Sequence, residues 1–81
     1  MSDHAMMSTD ERLAYMAEHI LRNFATRGDE EAIEATAQHI GLYWDPGMKA
    51  RAAAMADVPG VPLSEAARAV FRRLGEEQPL D

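Results

Sequence analysis

The four residues Tyr43-Trp44-Asp45-Pro46 constrain the fold more than any others in this chain. Proline lacks an N–H, clashes with a helix behind it and pushes the preceding residue out of the α region. A helix arriving from the N-terminal side must therefore end near Tyr43 or Trp44. Aspartate is a strong N-cap, and proline is favoured at the first helical position, so Asp45 and Pro46 open a new helix at once. With only Asp45 between the two helices, the chain must turn sharply. The corner also carries the single tryptophan in a sequence that is only 6% aromatic. Trp44 is either a core anchor at the corner or an anchor for a partner. Its spacing from Ile33, Ala37 and Ile40 favours the core and leaves Tyr43 the more exposed of the two.

The rest of the chain reads as helices joined by short loops. "STDE" is a capping box, with Ser8 as N-cap and Glu11 three residues on. Leu13, Met16, Ala17, Ile20, Leu21 and Phe24 then recur with a period of 3.6 residues. Gly28 is placed as the residue just past this helix, and Asp29 as the cap of the next. Glu30 and Glu31 sit in the first turn of that second helix, where the helix dipole favours acids. Ile33, Ala37, Ile40 and Trp44 form its stripe, with Thr36 and Tyr43 alongside. The third helix presents Met48, Ala52, Met55 and Ala56, and "DVPGVP" closes it with a stiff turn. The fourth presents Leu63, Ala67, Val70, Phe71 and Leu74, with Gly75 placed to end it. These patterns predict an all-α fold: a small bundle of about four short helices over residues 9–27, 30–44, 46–57 and 64–74. Residues 8–75 form the single helical domain. Residues 1–7, with Met6 and Met7, and 76–81 are read as flexible tails.

Size and charge bound the function. The chain has 81 residues and no cysteine, so neither a disulfide framework nor a thiolate metal site is available. A domain this small buries only about 60% of its unfolded surface, and partners often add to its stability. Net charge is −6. The acids concentrate in residues 1–45, which would repel a phosphate backbone, so no nucleic-acid partner is expected. No apolar run approaches the roughly 18 residues that cross a bilayer. The start "MSDHAMMSTDER" lacks the basic and apolar regions of a secretory signal. The first two helices are too acidic for a membrane-surface anchor. The expectation is a cytoplasmic protein with no membrane partner.

No catalytic constellation is legible. The chain has no GxSxG, no HExxH and no phosphate-cradling glycine loop. His19 and His39 fall on adjacent helices, with Glu18 and Glu34 near them in sequence. No Glu-x-x-His spacing joins them, so no metal site is assigned. His4 lies in the first tail. Glu30, Glu31 and Glu34 read as a solvated face, and Arg68, Arg72 and Arg73 as solubilising charge near a helix end. Arg27-Gly28-Asp29 spells an adhesion tripeptide but sits in a helix turn. From the residues alone, a partner-binding subunit and a stand-alone, self-associating helical module or regulator both remain open.

The run from His39 to Lys49 narrows that choice. His39, Tyr43, Trp44, Asp45, Pro46, Met48 and Lys49 together resemble the signature of the delta subunit of NAD-dependent, molybdenum-containing formate dehydrogenases. Leu13, Met16, Ala17, Ile20 and Phe24 are similar to the family's first helix, and "LSEAARAVFRRL" to its last. The chain differs at Gly47, where the family usually has a base, and at Tyr43 and Lys49, where it often has Phe and Arg. The resemblance implies a non-catalytic accessory subunit or maturation factor that binds the catalytic subunits, above all the alpha subunit. It implies that the partner enzyme, not this chain, carries the molybdenum bis-pterin cofactor, iron–sulfur clusters, FMN and the NAD site. The seven signature residues are the candidate partner-binding residues; no catalytic, cofactor or metal residue is assigned.

Overall fold

The computed structural model describes residues 8–77. Both predicted tails fall mainly outside this range, at residues 1–7 and 78–81. Four α-helices make up the described fold: α1 (Thr9–Asn23), α2 (Asp29–Tyr43), α3 (Pro46–Met55) and α4 (Glu65–Glu77). The described residues contain no strand. The all-α prediction holds, and the differences lie at the helix ends.

The capping box at the start of α1 forms as read from the sequence. Ser8 Oγ accepts from the Glu11 N–H at 3.1 Å, and the Ser8 N–H donates to Glu11 Oε1 at 3.0 Å. The helix ends at Asn23, four residues before the predicted Arg27. Phe24 leaves the helical region at φ −103° and ψ 6°, and the chain tightens into a 3-10 turn over Ala25–Arg27. The Arg27 guanidinium lies over the Phe24 ring, 5.0 Å from its centre. That contact places a cation over the face of a partly buried ring.

Gly28, not Asp29, is the N-cap of α2. Its φ of +93° lies where a side chain is strained, which accounts for glycine at this position. Asp29 is instead the first helical residue and joins Glu30 and Glu31 in opposing the dipole. At the other end of the chain, α4 runs through Gly75 to Glu77. Gly75 does not terminate the helix. A Cβ there would stand 3.4 Å from Ala53 Cβ, an ordinary contact, where α4 passes α3.

The core lies where the four apolar stripes meet. Ala17, Ile40, Ala52, Ala67, Val70 and Phe71 are completely buried, and Leu13, Leu21, Met55, Ala56 and Leu74 nearly so. Ile33, Met48 and Leu63 pack at the margin. The α4 helix makes its main contacts with both α2 and α3, and so forms the centre of the bundle. Small residues on α3 and α4 bring the backbones together; large ones on α2 and α4 fill the remaining space.

Candidate functional site

The corner between α2 and α3 is built from hydrogen bonds that its own residues supply. Trp44 (φ −84°, ψ 145°) and Asp45 (φ −73°, ψ 164°) are both extended, so two residues rather than one make the turn. The Trp44 N–H still donates to the Ile40 carbonyl at 3.0 Å, completing α2. Asp45 Oδ1 accepts from the Met48 N–H at 2.8 Å, and the Asp45 carbonyl accepts from the Lys49 N–H at 3.0 Å. Pro46 occupies the first helical position, where its missing N–H leaves nothing unsatisfied.

Trp44 is 7% exposed and meets the Phe71 ring edge-on at 6.3 Å. Lys49 turns back across the corner and donates from Nζ to the Gly41 carbonyl at 3.0 Å. An ammonium at the C-terminal end of α2 satisfies one of the last carbonyls and opposes the dipole. Met48 packs against the core edge. Five of the seven signature residues thus have a part in the corner itself: Trp44, Asp45, Pro46, Met48 and Lys49.

His39 and Tyr43 do not. They stand one turn apart on α2, with ring centres 4.7 Å apart and planes tilted by 45°. Tyr43 is 72% exposed, and its neighbour Leu42 is 77% exposed. His19 does not meet His39. It stacks instead on Tyr15 of its own helix, with ring centres 6.4 Å apart. The described residues contain no group of three or more His, Cys, Asp or Glu placed to hold a metal ion. Gly47 is exposed, and a Cβ there would stand 3.3 Å from Asp45 Oδ1, the capping oxygen.

Several charged residues have structural partners that the sequence did not disclose. Glu18 of α1 accepts from the Ser64 N–H at 2.8 Å and from the Ser64 hydroxyl at 2.9 Å. Ser64 Oγ in turn accepts from the Ala67 N–H at 3.0 Å, capping α4. The third residue of α4 is alanine, so a glutamate from another helix completes a capping box across the tertiary structure. Arg68 is not simply a solubilising charge: it donates to the Ala56 carbonyl at 2.8 Å and to the Val61 carbonyl at 3.3 Å. It therefore holds the end of α3 and the following loop against α4. Arg73 reaches Glu34 of α2, and Arg72 lies 3.7 Å from Asp57.

Arg51 binds Asp10 through two parallel bonds of 2.6 Å, joining α3 to the first turn of α1. Those hydrogen bonds lower the Asp10 carboxyl below its ordinary value, and the same contact raises Arg51 further above its own. Thr36 is fully buried, and its hydroxyl finds no partner among the described residues. Surface grooves are open. One of about 240 Å³ runs past Glu18, Arg22, Asp29 and Ser64, and another of about 440 Å³ past Glu11, Tyr15 and Pro62. Neither includes the corner.

Fold and site together define a small four-helix protein organised on a capped aromatic corner, with one aromatic of that corner inside and the other outside. Residues 12–70 match the family of the NADH-dependent formate dehydrogenase delta subunit, FdsD, and the chain belongs to that family. Comparison with curated proteins and with solved structures found no match in either.

Proposed function

We propose that this chain is a non-catalytic accessory subunit of a cytoplasmic NAD-dependent formate dehydrogenase. It supports the assembly or activity of the molybdenum-carrying alpha subunit. The observation that carries this reading is the family match, which spans most of the four-helix fold and includes the whole corner. The chemistry of the chain agrees with the division of labour. A sequence without cysteine offers no thiolate for an iron–sulfur cluster. In this reading the clusters, the bis-pterin cofactor, FMN and the NAD site therefore belong to the partner subunits.

An accessory role asks only for a stable shape and a surface. The corner fixes the relative direction of α2 and α3 through Asp45, Lys49 and Trp44, and so holds any surface built on α2 in a set orientation. The test is deletion of this chain from an organism or expression system that makes the enzyme, followed by assay of formate-dependent NAD reduction and of molybdenum content. Loss of activity that is restored by supplying the chain supports the role. Full activity and full cofactor content without it would sink the proposal.

A further inference from the structure

We propose that the outer surface at the C-terminal end of α2, formed by His39, Leu42 and Tyr43, docks a formate dehydrogenase subunit. That subunit presents an apolar pocket rimmed by arginine or lysine. This rests on the accessory-subunit reading above and names the surface that would serve it.

Helix geometry sets the position of these side chains. Successive residues turn by about 100° around a helix axis. Ile40 and Trp44 define the core direction of α2. Leu42, two residues from each, points about 160° away from both. Its 77% exposure is therefore a consequence of register. The fold draws little from this leucine or from Tyr43, which is 72% exposed. Singly scattered surface leucines are ordinary. Here Leu42 and Tyr43 lie three and four residues beyond His39, on the turn that follows it, and the tyrosine ring rests on His39 at 4.7 Å. A ring supported in this way loses less freedom on binding, and tyrosine is enriched among the residues that dominate binding energy.

Charge indicates the occupant. The α2 helix carries Asp29, Glu30, Glu31 and Glu34 and has no lysine or arginine. Arg73 answers Glu34, and Lys49 is directed at the Gly41 carbonyl. The helix thus offers an apolar end and an acidic end, with Glu30 about 18 Å from Leu42 at 1.5 Å per residue. An apolar pocket with a basic rim complements both. A second copy of this chain does not: each copy carries a net charge of −6, so pairing brings like charges together.

The test compares binding of purified formate dehydrogenase subunits to wild-type chain and to variants. The Leu42→Ala/Tyr43→Ala variant should melt like wild type, because both side chains are exposed, and should bind about tenfold more weakly or worse. Leu42→Glu provides a second reading with a good helix former, should the double variant fold poorly. Glu30→Lys/Glu31→Lys should weaken binding and flatten its salt dependence. Tyr15→Ala, an exposed aromatic on α1, should leave affinity unchanged. If wild type binds and the Leu42 and Tyr43 variants bind equally well, the surface is wrong while the accessory reading stands. If wild type binds no formate dehydrogenase subunit, the accessory reading itself fails, and this inference with it. A wild-type dimer in sedimentation that Leu42→Glu dissociates would assign the surface to a second copy and overturn the proposal.

Discussion

Removing the carboxylate of Glu18 should loosen α4 from a distance. Glu18 lies on α1, yet both of its oxygens serve Ser64 at the start of α4: Oε2 takes the backbone N–H at 2.8 Å and Oε1 the hydroxyl at 2.9 Å. Hydrogen bonds to a charged group contribute about 1.5–3 kcal/mol when sheltered and less near water. These two are solvent-accessible, so Glu18→Ala should cost about 1–2 kcal/mol in total. For a domain of this size, that is a fall in melting temperature of roughly 4–16 °C. Ser64→Ala should cost about 1 kcal/mol through the cap on the Ala67 N–H alone. It removes the hydroxyl bond to Glu18 as well but leaves the backbone N–H bond in place. A double-mutant cycle in urea therefore isolates the hydroxyl contact, with a coupling of about 0.5–1.5 kcal/mol. Glu18→Gln, which keeps one acceptor oxygen in place, should fall between wild type and alanine. Additivity of the two alanine substitutions within about 0.3 kcal/mol would refute a direct Glu18–Ser64 hydroxyl bond.

Three further outcomes follow from the same structure. Trp44→Ala should cost about 3–5 kcal/mol, a large share of the stability of any small domain, and a circular dichroism melt unchanged from wild type would refute its core role. Thr36→Val replaces a buried hydroxyl that has no partner among the described residues with a methyl of similar volume; it should raise stability by about 1 kcal/mol in urea titration, and a loss of similar size would mean that the hydroxyl is satisfied. The Asp10 carboxyl is lowered from 3.8 by Arg51, so the contact is fully stabilising above that value and is lost as pH falls through the folded-state value. From about pH 5 to about pH 2 wild type should lose more stability than Asp10→Asn, and equal losses would show that the pair does not form in solution.

The parts of this fold visible in the sequence are those set by local chemistry. The Ser8 box, the Asp45 cap and the Pro46 position depend on residues three apart or closer, and each is present. The core stripes depend only on period, and Ala17, Ile40, Ala67, Val70 and Phe71 all fall inside. The misplaced ends of α2 and α4 turn on two glycines, whose role is set by a backbone angle that residue type does not disclose. Glycine usually ends a helix by adopting positive φ, as Gly28 shows in ending one segment and opening the next. Gly75 instead faces Ala53, a residue more than twenty positions away, and the helix continues past it. Asp29 reads as a cap because its type suits one, but the +93° backbone turn at Gly28 takes that position. The long-range partners Glu18 to Ser64, Arg51 to Asp10 and Arg68 to Ala56 have no local signature, since each joins elements that only the packed bundle brings together.

The corner shows how one short motif divides between stability and recognition. A run of signature residues can be constrained because it builds the fold or because it meets a partner, and sequence alone treats the two alike. Geometry separates them here. Asp45, Pro46, Met48 and Lys49 satisfy helix ends or the core margin, and Trp44 fills space against Phe71, so the fold accounts for each. Trp44 lies four residues beyond Ile40 and continues the buried stripe of α2, while Tyr43 lies beside that stripe and is 72% exposed. In this corner the aromatic pair is divided between core and surface. Once one ring anchors the corner, the other is held at its surface, at a fixed angle set by the buried one. A substitution at Trp44 should then disturb both stability and the presentation of Tyr43, whereas one at Tyr43 should leave the fold alone.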